Sequence, residues 1–436
     1  MREQVIIIGA GPAGLSCAIH LQELGLEPVI FEKESRPGGL LRTEAVQDKF
    51  FFDYAGHLLH FRSPEIEKWL KEIVGERNLT RFKRSSFIYY HDIFTPYPFQ
   101  VHTYKLPSSV ILDCVLGLIK ARLGKKKKTE NFKDWVLAHF GKGFARHFFF
   151  PFNQKFWKIN LEELTSEWAE WSIPKPSVWE VVKGGLGLNR KDYGYNIWFY
   201  YPKSGGIELI PQKLAQQVRK IFLNREIIAV HLKNRKILLD SGEEIRYNYL
   251  VSTMPLRELI LRISDIPEAL RQKAEKLRYI SVLCVNIGFK GPKIPEYHWI
   301  YFPEEDYIFY RAGLYCNFFP VEPEHKSMVL EISYLPDREP EFEEKYIEKA
   351  ISDFQKTGLL TQKHQIEYAG TMKIPYAYVV YDQYRSKVLP ELFEFLRQNR
   401  VYSIGRYGRW QYSTTEDALL DGKKTAQEIA QWVKSG

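Results

Sequence analysis

Val5-Ile-Ile-Ile-Gly-Ala-Gly-Pro-Ala-Gly14 is the stretch whose reading decides the fold. Two polar residues, Glu3 and Gln4, give way to four β-branched apolar ones, the pattern of a buried strand. Gly9, Gly11 and Gly14 follow, and then an apolar-periodic helix over 15–24. Gly25 closes that helix, and Pro28-Val-Ile-Phe31 reads as a second strand ending on Glu32. Strand, glycine turn, helix and strand together make a βαβ dinucleotide fingerprint. Gly9 allows the tight turn, Gly11 lets the backbone approach a pyrophosphate, and Gly14 lets helix and strand pack closely. The helix N-terminus offers free N–H groups and its dipole to the phosphates. Glu32, 21 residues after Gly11, is placed to accept from ribose hydroxyls.

Outward from that unit, Arg36-Pro-Gly-Gly-Leu-Leu-Arg42 supplies a glycine pair, Gly38 and Gly39, able to run beside a flat cofactor, with Arg42 in reach of its phosphates. The segment resembles the G-G-x-x-R run that follows the ribose glutamate in FAD enzymes of the glutathione-reductase and amine-oxidase kind. That resemblance implies FAD rather than NAD.

The 436 residues exceed what one core usually fills, so two or three domains are expected. The fold class read from the pattern is α/β plus α+β. A Rossmann-type FAD-binding domain takes 1–68, 203–258 and 398–436. A helical bundle takes 106–172, and an antiparallel-sheet substrate domain takes 69–105, 173–202 and 259–397. Strands are read at 50–53, 87–90, 193–201, 227–232, 236–239, 245–251, 282–289, 299–302, 309–317, 327–334 and 401–404. Helices are read at 63–74, 109–123, 131–140, 141–157, 207–221, 341–357 and 415–433.

Lys and Arg total 62 against 53 Asp and Glu, a balance of +9 that favours anionic ligands or an acidic surface. No nucleic-acid recognition motif accompanies the charge. Cys17, Cys114, Cys284 and Cys316 are scattered without a C-x-x-C and read as buried thiols in a reducing cytoplasm. Met1 leads straight into a strand, with no signal peptide. The longest apolar run, 110–119, is too short to span a bilayer and is broken by Asp113. Lys120, Arg122 and Lys125 to Lys128 follow it. Such a patch either touches anionic lipid or is a solvated helix end, and the solvated end is the expectation.

Further motifs recur in order along nearly the whole chain. They are F-D-x-x-G-H at Phe52-Asp53 and Gly56-His57, P-Y-P-F-Q over 96–100, and N-F-x-x-W over 131–135. Then come P-F-N-x-K-x-W over 151–157, W-x-Y-F-P-E over 299–304, F-Y-R over 309–311, and G-R-Y-G-x-W-x-Y over 405–412. In this order they resemble the UDP-galactopyranose mutases, nearer the eukaryotic type, within the superfamily of FAD amine oxidases and protoporphyrinogen oxidases. The resemblance implies a redox-neutral ring contraction, pyranose to furanose, of a UDP-hexose used in cell-surface polysaccharide synthesis. Reduced FAD acts there as a covalent nucleophile, and NAD(P)H is a candidate reductant. The partner is a small nucleotide sugar.

The resemblance also carries residue roles. His57 matches the histidine against the flavin ring, Arg311 a diphosphate arginine, and Arg406 an arginine close to the flavin. Gly56, Ile227, Gly405, Glu416 and Asp417 fall at cofactor positions. Tyr301, Tyr376 and Tyr412 match tyrosines whose hydroxyls reach the diphosphate. Tyr97, Phe99 and Gln100 match a uridine slot, with a proline-rich turn packed on the core as the alternative. Asn153 and Trp157 share a helix face and match the nucleotide pocket, and Asn196 matches a sugar or flavin contact. Arg311 in a surface ion pair is the plain alternative to its clamp role. His57-x-x-His60 suggests a metal only if a third ligand clusters nearby, and none does. Two departures stand out. Ala55 replaces the first glycine of a Gly-Gly-His loop, and Trp171 stands where the family has a second diphosphate arginine, leaving Arg190 or Lys203 to substitute. The competing readings are a flavin oxidoreductase of the amine-oxidase, protoporphyrinogen-oxidase or desaturase kind, and a FAD-binding relative with altered or lost catalysis.

Overall fold

The computed structural model describes residues 4–124, 128–189, 193, 197–319 and 324–435. Its fold is mixed α/β. Val5–Ile8 forms the central strand of a five-stranded sheet, with Tyr249–Ser252 and then Val401–Ser403 on one side, and Val29–Phe31 and Ile221–Phe222 on the other. Every pairing in this sheet is parallel. Val5, Ile6 and Ile7 are fully buried, as both faces of a parallel sheet require. Each contributes about 1.5–3 kcal/mol by leaving water. The chain leaves Val5–Ile8 toward one neighbour and returns much later to the other, so a switch point lies at the carboxyl ends of these strands, where such sheets bind ligands.

Two helices hold that end. Pro12–Glu23 follows the glycine turn, and Thr415–Ser435 crosses it so closely that a Cβ on Gly422 would lie 2.4 Å from Ala13 O. Above the sheet stands a seven-stranded one, in the order Gln365–Val379, Tyr279–Lys290, His325–Tyr334, Arg311–Gly313, Trp299–Tyr301, Ser86–Tyr90, Ile93–Pro96. Its pairs are antiparallel except Trp299–Tyr301 with Ser86–Tyr90, which run parallel. The helical region includes Ser108–Leu123 and Phe132–Phe144, then a π turn over Ala145–Phe149 that passes into Phe150–Trp157. The break expected after 140 falls at Gly141, with φ +76, where a side chain would collide with Gly117 O at 2.1 Å.

Some expected elements differ. The helix read over 207–221 is Leu209–Ala215, because Ile221 and Phe222 turn away to extend the parallel sheet beside Ile30 and Phe31. The strand read over 309–317 is Arg311–Gly313 followed by a 3-10 turn at Tyr315–Asn317. The strand read over 193–201 is Trp198–Pro202, and part of the expected span lies outside the described residues. Gln365–Val379 and the helix Gln383–Gln398 were not read from the sequence. The strand is partly buried along nearly its whole length, so it lacks the clean alternation that marks a half-buried strand.

Candidate functional site

A cavity of about 990 Å³ opens at the carboxyl ends of the parallel strands and runs up to the seven-stranded sheet and the helical region. Ile8, Phe31, Thr253 and Gly405, each at or just past a strand end, form its floor.

The lower end is made by backbone. Gly9 has φ +94, and a Cβ there would lie 2.2 Å from Thr253 Oγ1. A Cβ on Gly14 would strike Gly9 O at 2.1 Å, so Gly14 lies under the turn and not on the cavity wall. Gly11 and Gly39 face each other, a Cβ on Gly39 standing 3.5 Å from Gly11 Cα, and both line the cavity. Gly38 (φ +141) shapes this turn from behind. The Glu32 carboxylate accepts from Ala10 N at 2.6 Å and Glu34 N at 3.0 Å while facing the cavity. Arg42 also lines it, bonded to Glu34 at 3.2 Å, with its buried Nε unpartnered. Ile227 closes the far wall. Facing glycines, a helix start, a carboxylate at the end of the second strand and an unpartnered guanidinium nitrogen fit the ADP half of FAD.

At the middle, His57, Arg311 and Arg406 converge, although more than 340 residues separate the first from the last. Ala55 takes φ +61, the left-handed region that glycine favours, to carry the loop to Gly56 and His57. His57 Nε2 is buried and unpartnered. Burial, with Arg406 and Arg311 nearby, pulls His57 down to about 4, so it is a neutral imidazole. Gly405 donates to Asp421 at 2.7 Å, which fixes the turn carrying Arg406. Arg406 donates to Ser413 O at 2.7 Å and Ala377 O at 3.2 Å and lies over the Tyr412 ring at 4.6 Å. Among the described residues no carboxylate pairs with it.

Arg311 departs from the expected open fork. Its Nε and one terminal nitrogen grip buried Glu331 at 2.9 and 2.7 Å, and the Tyr310 hydroxyl bonds the same carboxylate. Arg311 is thus ion-paired, but in a buried pair and not the surface pair of the plain alternative. Arg311 still lines the cavity, with one terminal nitrogen outside the pair. Tyr376 also differs. It lines the cavity, yet its hydroxyl bonds Glu258 and its ring stacks on Tyr279 at 4.1 Å. Two residues on, Tyr378 occupies the central position, 5.3 Å from Arg406 and stacked on Tyr412. The period-2 spacing of Tyr376 and Tyr378 was the signal for it.

At the upper end, Tyr97, Gln100, Asn153, Trp157 and Tyr301 line the wall. Gln100 Nε2 donates to Pro174 O at 2.9 Å and Asn153 Nδ2 to Phe149 O at 2.8 Å. Each amide nitrogen thus has one of its two N–H groups held by a carbonyl, which fixes the side chain, and the oxygens remain as acceptors. Trp157 Nε1 is buried without a partner. Phe99 is a correction: it packs in the core, stacked on Phe148 at 5.0 Å, off the cavity wall. Glu416 and Asp417 are another. Glu416 accepts from Ser63 N at 2.6 Å and Arg62 Nε at 3.0 Å, and Asp417 caps Thr414, so both tie the last helix to the 62–63 turn. Thr414, Thr415 and Ala418 line the cavity in their place. Asn196 and Arg190 lie outside the described residues, and Lys203 is exposed away from the cavity.

Sequence reading missed Arg84. It lines the upper wall, donates to the Tyr301 hydroxyl at 2.8 Å and lies 5.1 Å from the Tyr97 ring centre. Tyr301 is the cross-strand partner of Arg311, so the two arginines flank one tyrosine. Trp171 is exposed and off the cavity lining, with its ring 5.8 Å from that of Tyr412. Among the described residues no group of three metal-binding side chains exists.

Fold and cavity together define an FAD-dependent enzyme. The flavin containing amine oxidoreductase profile matches residues 12–430, and the chain belongs to that family. Among solved structures, a reduced UDP-galactopyranose mutase superposes with a TM-score of 0.93 at 25% identity, covering 99% of this chain and 94% of that one. A putative protoporphyrinogen oxidase from Exiguobacterium sp. 255-15 superposes at 0.76 and 15% identity, covering 99% of both chains, which shows the fold alone. Similarity to curated proteins is local. The NAD-dependent dihydropyrimidine dehydrogenase subunit PreT homolog of Salmonella typhi is 54% identical over 41 residues, 9% of this chain and a tenth of that protein's length.

Proposed function

We propose that the protein is a nucleotide-sugar mutase that interconverts pyranose and furanose forms of a UDP-hexose, with FAD in its reduced state. The observation that carries this reading is the chemistry of the middle and upper cavity: Arg84, Arg311 and Arg406 among Tyr97, Tyr301, Tyr378 and Tyr412. An oxidase acting on an apolar substrate has no use for that density of cations and phenols. The likeness to a reduced UDP-galactopyranose mutase supports the same reading.

Reduced FAD supplies an electron-rich nucleophile when bound. The chain's residues do the rest. Arg406, without a carboxylate partner, favours an anion beside it and so stabilises the reduced coenzyme. His57 stays neutral and offers an unpartnered nitrogen for hydrogen bonding. Arg84 and the outward nitrogen of Arg311 hold the diphosphate, with Arg84 taking the part that Trp171 cannot. The Tyr97 and Tyr378 phenols, pushed up to about 12 chiefly by burial, remain protonated donors. Gln100 and Asn153 present acceptors to a base that carries an N–H. Phe148, Phe152 and Phe156 exclude water from the wall between. Glu32, Gly11, Gly39 and Arg42 hold the ADP half of the coenzyme.

The second reading, a flavin oxidoreductase, draws on the family as a whole and on Trp171. A panel of UDP-, GDP- and dTDP-hexoses given anaerobically to oxidised and dithionite-reduced protein separates the two. Turnover of a UDP-hexose by the reduced protein alone supports the mutase. Failure of every nucleotide sugar, with oxygen consumed on an amine or porphyrinogen substrate, overturns it.

A further inference from the structure

Six of the fifteen large apolar side chains exposed among the described residues belong to two neighbouring segments, 108–123 and 178–188, and a seventh is Tyr104 beside them. Ser108–Leu123 buries Val110, Cys114 and Leu118 against Phe132–Phe144, its Gly117 packed on the backbone of Gly143. The opposite stripe of the same helix should then be polar. Instead it carries Leu112, Leu116 and Leu123, the last 83% exposed. Val178–Gly185 lies alongside in the reverse direction. A Cβ on Gly185 would touch Ile111 at 2.8 Å near one end, and Arg122 reaches Pro176 O at 3.4 Å at the other. This second segment adds Trp179, 72% exposed, then Leu186 and Leu188, and Gly187 abuts the exposed Tyr104 ring. Two helices packed side by side thus each carry exposed apolar side chains.

Cations ring these side chains. Lys105, Lys120, Arg122 and Lys183 are all exposed. The acids nearby are engaged: Asp113 with Arg146 and His147, Glu180 in the cap of Ser177, and Glu130 with Lys128. Exposed leucines and a tryptophan within a basic rim are the composition of a helix lying in a bilayer interface, the apolar face among the acyl chains and the cations at the headgroups. No helix among the described residues is long and apolar enough to cross a membrane, so the contact is peripheral. A second copy of the chain fits this face poorly, because a two-fold contact would set one basic rim against another. Nucleic acid fits it poorly as well, because the centre is apolar.

We infer that this face docks the enzyme on an anionic phospholipid surface. The solvated helix end favoured by the sequence took account of the lysines but not of the leucine stripe and Trp179 beside them. The inference is independent of the substrate. It is tested by sedimenting the FAD-loaded full chain with vesicles of phosphatidylcholine alone and of phosphatidylcholine mixed with phosphatidylglycerol. The expected result is co-sedimentation with the anionic vesicles only, weakened by salt. Lys120→Glu with Lys183→Glu, and separately Leu112→Ser with Trp179→Ser, should each lower partitioning by about tenfold or more, with flavin content unchanged. Equal pelleting by the variants overturns the inference, as does failure to pellet with anionic vesicles. So does a wild-type dimer in sedimentation velocity that the leucine variant dissociates, which would assign the face to a second copy.

Discussion

The two ends of the cavity are built by opposite means. At the lower end, five glycines and a helix start do the work, and the requirement is space: Gly14 and Gly9 leave no room for a single carbon. At the upper end, the requirement is charge, supplied by side chains from distant strands and helices that hold one another in place. Arg311 is fixed by Glu331, Tyr301 by Arg84, and Gln100 and Asn153 by carbonyls. A backbone site tolerates no added volume. A side-chain site tolerates volume and fails when one partner of a pair is removed.

Substitutions sharpen that contrast. The largest effect is expected from Gly14→Val, whose Cβ falls 2.1 Å from Gly9 O and must displace the turn; the purified protein should carry no flavin absorbance. Next is Glu331→Gln, which leaves Arg311 charged, buried and half-paired. Loss of one partner of a buried pair costs about 3–5 kcal/mol, to be read from urea unfolding, with flavin content kept in the folded fraction. Arg84→Gln should raise KM for the nucleotide sugar by about tenfold to a hundredfold, the range of a charge-assisted hydrogen bond, with flavin content unchanged. If flavin is lost instead, Arg84 belongs to the lower end.

Acid titration reaches His57 and His60 on the cavity wall and His298 off it. Burial pulls His57, His60 and His298 down to about 4, so between the ordinary histidine range and that value the unfolded chain binds protons that the folded one refuses. Stability should therefore fall as pH drops through this window. Asp53, raised by burial to about 7, works in the other sense over the same range, while His102 and His147, also lowered by burial, add to the fall. The urea midpoint against pH checks the sign, and His57→Gln should flatten the slope. The smallest effect belongs to Ala55→Gly. It removes a left-handed alanine costing roughly 1–2 kcal/mol but frees the unfolded chain, for a net gain of about 1 kcal/mol or less, measurable as a shift in Tm.

What the sequence made legible follows the same division. The lower end could be read because its parts lie within forty residues and act through backbone geometry that glycine spacing records directly. The central residues His57, Arg311 and Arg406 were found by motif order, and their convergence required the fold. The upper end was read in part. Phe99 was assigned to the cavity although an aromatic in a proline-rich turn fits a core equally well. Tyr376 was named without Tyr378, which shares its strand face, because how far along the strand the cavity reaches is not visible without the fold. Arg84 carries no motif; it lies just before the strand Ser86–Tyr90, which runs parallel to Trp299–Tyr301, and its side chain reaches the Tyr301 hydroxyl at the wall. Glu416 and Asp417 sit where dipole arguments put carboxylates, but they hold the helix rather than the coenzyme.

Electron accounting during turnover tests the central claim most directly. With the flavin reduced once under anaerobic conditions and a UDP-hexopyranose supplied in large excess, the account predicts many turnovers to the furanose while the flavin spectrum stays reduced and no acceptor is consumed. Product formation that stops after one equivalent, or that requires oxygen or another acceptor in proportion, would contradict it.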